Sequence, residues 1–372
     1  MGRLSLLKQN QHPVAIDFGV SALKVLQVSA GEPASLIAAA MLETPEDLLF
    51  DHAKRLKFQM DALPRLVKTG GFRGKRAVCS IPACHSFYCK HMEFQKAEGV
   101  STAALVRAAL PTQLRCDPEA LVYRHIDVGK VERPGSANRS EVICMATGRG
   151  TVERLMGAIK TSKLEPVGMH SEFEAALCSV PIENDKPMLL LDLGTATTKV
   201  IIAHGQRIVF ARAIEIGGRH LDETVAHQLK LTMGQAHRHR LEMERVPRRL
   251  AAVAAGVPED RAHTMPGRPA RPEPDLTEPL EILTDEIQMC LRYHGSLFPS
   301  SPVERALFVG GETVHRALCE HVARVLRMPA QTADPLARVG RSGREPTTGV
   351  DLTEPQPGWA VALGLCLSPT DL

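Results

Sequence analysis

The sequence predicts an α/β protein of two related lobes facing one another across a cleft. Three observations predict it: a duplicated acidic hairpin motif, two strand–Gly-Gly–helix junctions in the second half, and a length of 372 residues, enough for two domains. The first motif, Val14-Ala15-Ile16-Asp17-Phe18-Gly19-Val20-Ser21-Ala22-Leu23-Lys24-Val25, reads as an apolar strand, a tight turn and a second apolar strand. Leu189-Leu190-Leu191-Asp192-Leu193-Gly194-Thr195-Ala196-Thr197-Thr198-Lys199-Val200 has the same shape. Asp17, Gly19 and Lys24 fall on Asp192, Gly194 and Lys199 at one constant offset, so each half opens with D-x-G-x-x-x-x-K. Such self-similarity marks one structural unit used twice.

The residue types in this motif suit polyphosphate chemistry. An Asp at the end of a buried strand needs a cation or a donor, because an unpaired buried charge is costly. The Gly lets the backbone approach a ligand or take a positive φ. Ser21, Thr195, Thr197 and Thr198 add hydroxyls, and successive turn N–H groups form an anion-binding nest. Lys24 and Lys199 supply point charges for phosphate. One such hairpin alone reads as an ordinary Asp–Gly turn. Two in register favour a clamp on a polyphosphate and its Mg²⁺ from both sides.

The later elements follow in order. Residues 83–163 form an insertion with strand-like Ser86–Phe94, an amphipathic helix over Ser101–Leu114, strand-like Ala120–Val128 and Glu141–Ala146, and a helix over Val152–Lys160. Phe210–Asp222 ends a strand, turns on Gly217-Gly218 and starts a helix. Arg305–Leu318 reads as strand, Gly310-Gly311 and helix, which would aim helix N–H groups at a ligand. Leu250–Leu280 carries Pro258, Pro266, Pro269, Pro272, Pro274 and Pro279 and is expected to be a surface loop or partly disordered. Ala337–Pro355 is expected to be a flexible connection to a closing helix that returns to the first lobe. The basic run His237–Arg249 reads as a solvated helix face. The expected division is 1–185 for the first lobe, 186–345 for the second and 350–372 for the closing helix.

Composition narrows the function classes. Hydrophobic residues at 44% and charged residues at 23% are ordinary for a globular protein and exclude a disordered chain. A net charge of +3 and only ten Phe, three Tyr and one Trp argue against a nucleic-acid binder. No apolar run approaches the ~20 residues of a spanning helix. Met1–His12 lacks the pattern of a secretory signal, so a reducing cytoplasm is expected for the nine cysteines. Cys79, Cys84 and Cys89 recur beside His85 and His91, but without any C-x-x-C pair they read as small buried hydrophobes rather than a zinc site.

The order and spacing of these motifs resemble the actin-like ATPase superfamily, with its two lobes and duplicated ribonuclease H-like core. Asp17–Lys24 and Asp192–Lys199 resemble its two phosphate loops, Val309-Gly310-Gly311-Glu312 its adenosine motif, and Gly217-Gly218 its purine-side segment. Within the superfamily the chain is most similar to the PilM family of bacterial type IV pilus assembly proteins, which is related to FtsA. Ala15–Gln27, Ala77–Pro82, Val142–Ile159, Met169–Leu177, Phe210–Leu221, Leu283–Tyr293 and Ala360–Leu367 carry the likeness in order.

The resemblance implies ATP and Mg²⁺ as cofactors. It places Asp17, Gly19, Ser21, Lys24, Asp192, Gly194, Thr195, Thr197, Lys199, Gly217, Gly218, Arg240, Gly310, Gly311 and Glu312 around the nucleotide, with Asp17 and Asp192 toward the metal. Arg240 keeps the charge of a family Lys, whereas His237 replaces a family carboxylate and Val20 a small polar residue. Glu172 falls where relatives carry an acidic residue that orients water, and it reads equally as an exposed helix carboxylate. Weak or no turnover is expected. The implied function is a cytoplasmic ATP-binding scaffold of the type IV pilus or a related secretion platform. It would bind the cytoplasmic N-terminal peptide of a PilN-like inner-membrane protein between the first lobe and its insertion, reaching the membrane through that partner; other platform proteins and a homo-oligomer are further possible contacts. The alternatives are an FtsA-like filament protein, which implies an amphipathic membrane helix after the closing helix, and a small-metabolite kinase, which needs a catalytic Asp in the cleft, a place Asp192 could fill.

Overall fold

In the computed structural model, residues 11–83, 87–95, 99–129, 131, 139–182, 184–254 and 273–370 are described, excepting the side chains of 244–254. The first sheet contains β1 (Val14–Phe18), β2 (Ala22–Val28), β3 (Leu36–Glu43), β4 (Arg76–Ile81), β8 (Glu165–Ser171) and the two-residue β14 (Thr347–Thr348), in the order β14-β3-β2-β1-β4-β8. The second contains β9 (Pro187–Leu193), β10 (Thr198–His204), β11 (Arg207–Ile214), β12 (Arg305–Val309) and β13 (Ala330–Thr332), in the order β11-β10-β9-β12-β13. Both sheets therefore begin with a three-stranded antiparallel meander and continue with parallel strands from later in the chain. β1 and β9 are central, and every one of their residues except Pro187 is buried, which explains their near-continuous apolar sequences.

The duplication extends to register. Asp17 pairs with Lys24 across β1 and β2, and Asp192 with Lys199 across β9 and β10. The shared motif thus encodes the same hairpin in both lobes.

Helices cover these sheets for reasons visible in their sequences. The Asp51 carboxylate accepts from the Lys54 N–H at 3.0 Å and starts α1 (His52–Thr69), whose Leu56, Leu63 and Leu66 face the first core. Ser171 and Glu174 form an S-x-x-E start to α4 (Glu172–Ser179): the Ser171 hydroxyl accepts from the Glu174 N–H at 3.2 Å and donates to the Glu174 carboxylate at 2.7 Å. Helix α9 (Ala360–Leu367) lies on α4, β1, β2 and β4. The approach of α9 to α4 requires Gly364, because a Cβ there would fall 1.6 Å from the Ala175 carbonyl oxygen.

Between β4 and β8 the chain forms a three-stranded sheet of β5 (Phe87–Gln95), β7 (Arg139–Gly148) and β6 (Leu121–Asp127), in the order β5-β7-β6, with α2 (Thr102–Leu114) on one face. Met92, Val106, Leu110, Val142 and Cys144 make the small core beneath α2. The other face meets the second lobe, where Cys89 Sγ donates to the Ala211 carbonyl at 3.3 Å and His91 Nε2 accepts from the Ala211 N–H at 3.4 Å. These side chains cover the outer edge of β11. Helix α3 (Arg149–Thr161) follows β7 and puts Val152, Leu155 and Ile159 into the first lobe's core.

Three expectations change. Gly310-Gly311 leads into a 3₁₀ turn, Gly311–Val314, and α8 (Arg316–Leu326) begins only after His315, so no α-helix N-terminus directly follows that glycine pair. In the Pro-rich stretch, α6 (Met233–Ala254) reaches past Leu250 and α7 (Thr277–Leu297) already includes Leu280; residues 255–272 lie outside those described. Ala337–Pro355 is built into the first sheet, through β14 and a bridge between Ser35 and Gly340. The putty-like composition of that stretch hides an edge pairing made with β3, which is remote in sequence. Cys84 and His85 lie outside the described residues, and burial pushes the Cys79 thiol up to about 12. Among the described residues no helix is long and apolar enough to cross a membrane.

Candidate functional site

The two hairpin turns open into one cleft. Asp17, Gly19, Ser21 and Lys24 line it from the first lobe, Asp192, Gly194, Thr195, Thr197 and Lys199 from the second, with Glu172, Gly310 and Gly311 between them. Gly217, Gly218 and Glu312 line an adjoining smaller hollow that shares Gly194. Arg240 stands behind that hollow. The structure thus gathers the whole predicted set, from segments spread over most of the chain.

Each turn is held from outside. In the first, Gln59 Nε2 donates to the Gly19 carbonyl at 2.7 Å, and the Thr44 N–H donates to the Ser21 carbonyl at 2.8 Å. In the second, the Gly194 and Thr195 carbonyls accept from the Gly218 and Arg219 N–H groups at 3.1 and 2.8 Å. The start of α5 (Gly218–Leu229) therefore spends these two donors on the turn. Gly217 is required there, since a Cβ would lie 2.3 Å from the Gly194 carbonyl oxygen. Gly310 is required twice over, by a φ of 99° and by Asp192 Oδ1, which its Cβ would meet at 2.5 Å.

The two Asp–Lys pairs match in register and differ in chemistry. Lys199 Nζ bridges Asp192 Oδ2 at 2.7 Å and Glu172 Oε2 at 3.0 Å, all three side chains being buried. Burial alone would lower the lysine's pKa, but Asp192 and then Glu172 raise it well above the ordinary value, so it is a fixed cation. Glu172 also accepts from the Ala83 N–H at 3.1 Å. Glu172 is a buried cleft residue, not an exposed helix carboxylate. The S-x-x-E start of α4 puts it there. Lys24 instead donates to the Gly358 carbonyl at 2.5 Å.

Among the described residues Asp17 has no such bridge. Its Oδ1 accepts from the Ser80 hydroxyl at 3.1 Å. Burial pushes its pKa up to about 6; Lys24 opposes the rise, Glu172 adds to it, and Lys199 and Ser80 oppose it. A carboxyl so placed gains from a cation.

The hollow beside Gly217-Gly218 is closed by a charged network. Arg240 donates from Nε to Asp222 Oδ1 at 2.7 Å, from Nη1 to Glu312 Oε2 at 2.8 Å and from Nη2 to the Gly218 carbonyl at 3.2 Å. His237 Nδ1 lies 3.0 Å from Asp222 Oδ2, and the hydrogen bond to Asp222 raises the imidazole's pKa. Burial alone would raise Asp222; hydrogen bonds from His237 and Arg240 outweigh it and lower its pKa. His315 is pushed down to about 3 by burial, then by Arg240. Part of the basic run read as a solvated face thus turns inward. Asp222, Ser80 and His315 escaped the sequence reading. Asp222 sits one helical turn beyond Gly218, a spacing that could have pointed to it; Ser80 and His315 carry no local signal.

Comparison with known proteins bears on the fold and the family. The family model for type IV pilus assembly protein PilM matches residues 15–250, and that for cell division protein FtsA matches residues 189–364. Among solved structures, the chain is similar to that of a PilM–PilN type IV pilus biogenesis complex, with a TM-score of 0.71 and 20% identity over 96% of this chain and 98% of that one. It is also similar to the ethanolamine utilization protein EutJ from Carboxydothermus hydrogenoformans, with a TM-score of 0.50 and 14% identity over 96% of this chain and 89% of that one. The architecture is the two-lobed actin-like ATPase fold. With the first hairpin, the insertion and the second hairpin all inside the matched span, the chain belongs to the PilM family of type IV pilus assembly proteins.

Proposed function

We propose that this PilM-family chain binds Mg-ATP between its lobes and acts as a scaffold of the pilus assembly platform. The observation that carries the reading is the meeting of both acidic turns in one cleft, where the buried Asp17 carboxyl has a pKa raised to about 6 and a serine hydroxyl as its hydrogen-bond donor. The residues fit a phosphate-bound Mg²⁺, which takes one or two carboxylates and keeps its waters. Among the described residues no group of three His, Cys, Asp or Glu could hold a metal by protein ligands alone. Asp17 and Asp192 would face the ion, which would supply charge neutralisation for the phosphates.

The chain's own groups have distinct parts. Lys24, which donates to the Gly358 carbonyl and also acts electrostatically on Asp17, offers phosphate a cation. Lys199, bridged by two carboxylates, holds Asp192 and Glu172 in place. The turn N–H groups and the Thr195 and Thr197 hydroxyls would line the phosphates, and Gly218, Arg240 and Glu312 the nucleoside side. Glu172 is engaged by Lys199 and Ala83, so water activation is weak and turnover slow. The partner in this reading is the N-terminal cytoplasmic peptide of a PilN-like membrane protein, which would keep the scaffold at the inner membrane. The similar structure of a PilM–PilN complex supports it.

Calorimetry tests the nucleotide half: Asp17→Ala and Asp192→Ala should each weaken Mg-ATP binding at least ~tenfold, ~1.4 kcal/mol, the low end for a lost charge-assisted contact. Unchanged affinity in both variants refutes it. Pull-down with PilN-like N-terminal peptides tests the scaffold half, and no capture with or without nucleotide refutes that.

A further inference from the structure

The lobes also touch beside the two cleft turns, where the Thr44 N–H holds Ser21 and the Arg219 N–H holds Thr195, through residues that neither hairpin motif contains. On the first lobe, the segment after β3 runs past Thr44, which holds the Ser21 turn, to Glu46 and Phe50. On the second, the network residues His237 and Arg240 lie on α6 within two turns of its start, where Gly234 is buried. The Glu46 carboxylate crosses between them: its Oε1 accepts from the Gly234 N–H at 2.6 Å. That N–H belongs to the first turn of α6 and has no partner inside the helix. The helix dipole adds to the attraction. Beside it the Arg219 guanidinium lies over the Phe50 ring at 4.0 Å from its centroid, while Arg219 Nε donates to Glu223.

Position 234 is a glycine for this contact. A Cβ there would lie 2.0 Å from Glu46 Oε2 and 2.4 Å from its Cδ. Glycine in the first turns of a helix is otherwise a cost, since alanine is the better helix former. Two polar contacts thus span the lobes next to the Ser21 turn on one side and the Asp222–His237–Arg240 network on the other.

We propose that Glu46 and Phe50 of the first lobe, with Gly234 and Arg219 of the second, form a clasp beside the cleft turns that opens for nucleotide to enter and leave. The clasp rests on the reading of the cleft as a nucleotide site. Closed, it adds a barrier to release. A carboxylate at an exposed helix start stabilises by up to ~1 kcal/mol, so losing it should speed release about fivefold.

The experiment follows release of a fluorescent ADP analogue from the full chain by stopped flow. Glu46→Ala should release about fivefold faster than the parent, by the helix-start energy above. Gly234→Ala should do the same, because the new methyl pushes the carboxylate off. The double variant should release no faster than Glu46→Ala alone, because with Glu46 gone the methyl meets nothing. Unchanged release in either single variant, or additive effects in the double, overturns the clasp. Should the parent chain bind no nucleotide, the cleft reading falls by itself. The clasp is then decided by the distance between genetically encoded labels at Asp47 and Gln235, both exposed. A longer-distance population in Glu46→Ala and Gly234→Ala supports it, and one distance shared by all three proteins overturns it.

Discussion

Replacing Asp17 by Asn should stabilise the nucleotide-free protein at neutral pH while weakening Mg-ATP binding. The carboxyl is buried, and burial lifts its pKa from 3.8 to about 6, against the lowering influence of Lys24 and Lys199. A shift of roughly 2 units corresponds to about 3 kcal/mol of strain borne by the ionised form. The sign follows from linkage. A group whose folded pKa is raised contributes stability that is fully present below its unfolded pKa, here near 4, and lost as pH rises through about 6. Asn is neutral throughout and nearly isosteric, so it keeps at pH 8 what the wild type has only under acid conditions. With about 2.1 cal/mol/K of unfolding entropy per residue, 3 kcal/mol is worth roughly 4 °C in a chain of this size. Thermal melts of both proteins from pH 4.5 to 8 would measure it. The variant should melt higher at pH 8, with the gap closing toward pH 4.5, and calorimetry should show lost Mg-ATP affinity. A gap independent of pH, or a variant that melts lower at pH 8, would refute the electrostatic reasoning.

Glu172→Gln keeps an acceptor for the Ala83 N–H but removes one of the two carboxylates on Lys199. Mg-ATP affinity should stay within about threefold, ~0.6 kcal/mol, while any measurable phosphate release falls; loss of binding in calorimetry would contradict the role given to Glu172. Gly364→Ala forces a methyl to 1.6 Å from the Ala175 carbonyl oxygen, so α9 must shift off α4. Urea unfolding should show a loss of roughly 1–3 kcal/mol, the range for overpacking a tight site, and an unchanged midpoint would mean that the helices are not seated as described.

How much of this was legible in the sequence depends on where the information sits. The hairpins were legible because Asp17 to Lys24 and Asp192 to Lys199 are local, and a strand–turn–strand of fixed length sets their register. The start of α5 after Gly217-Gly218 was legible for the same reason. The 3₁₀ turn after Gly310 was not. The Gly310 conformation is forced by the Asp192 carboxylate and the Leu193 backbone, neither of them nearby in the chain. The Lys199–Glu172–Asp192 bridge was hidden likewise: the motif pairs Lys199 with Asp192, but Glu172 arrives on a separate helix. Composition alone made the run His237–Arg249 a solvated face, and only the family resemblance set Arg240 apart; the Asp222 and Glu312 carboxylates that bury it come from other elements. Gly and Pro around Thr347 suggested a loose connection, and only the pairing with β3 makes an edge strand of it.

The most direct measurement is hydrogen–deuterium exchange with and without Mg-ATP. If the paired acidic turns grip one triphosphate, amides in Phe18–Ala22, in Gly194–Thr197 and around Gly310-Gly311 should all slow together on nucleotide addition. Protection confined to a single lobe, or absent from both turns, would contradict that account.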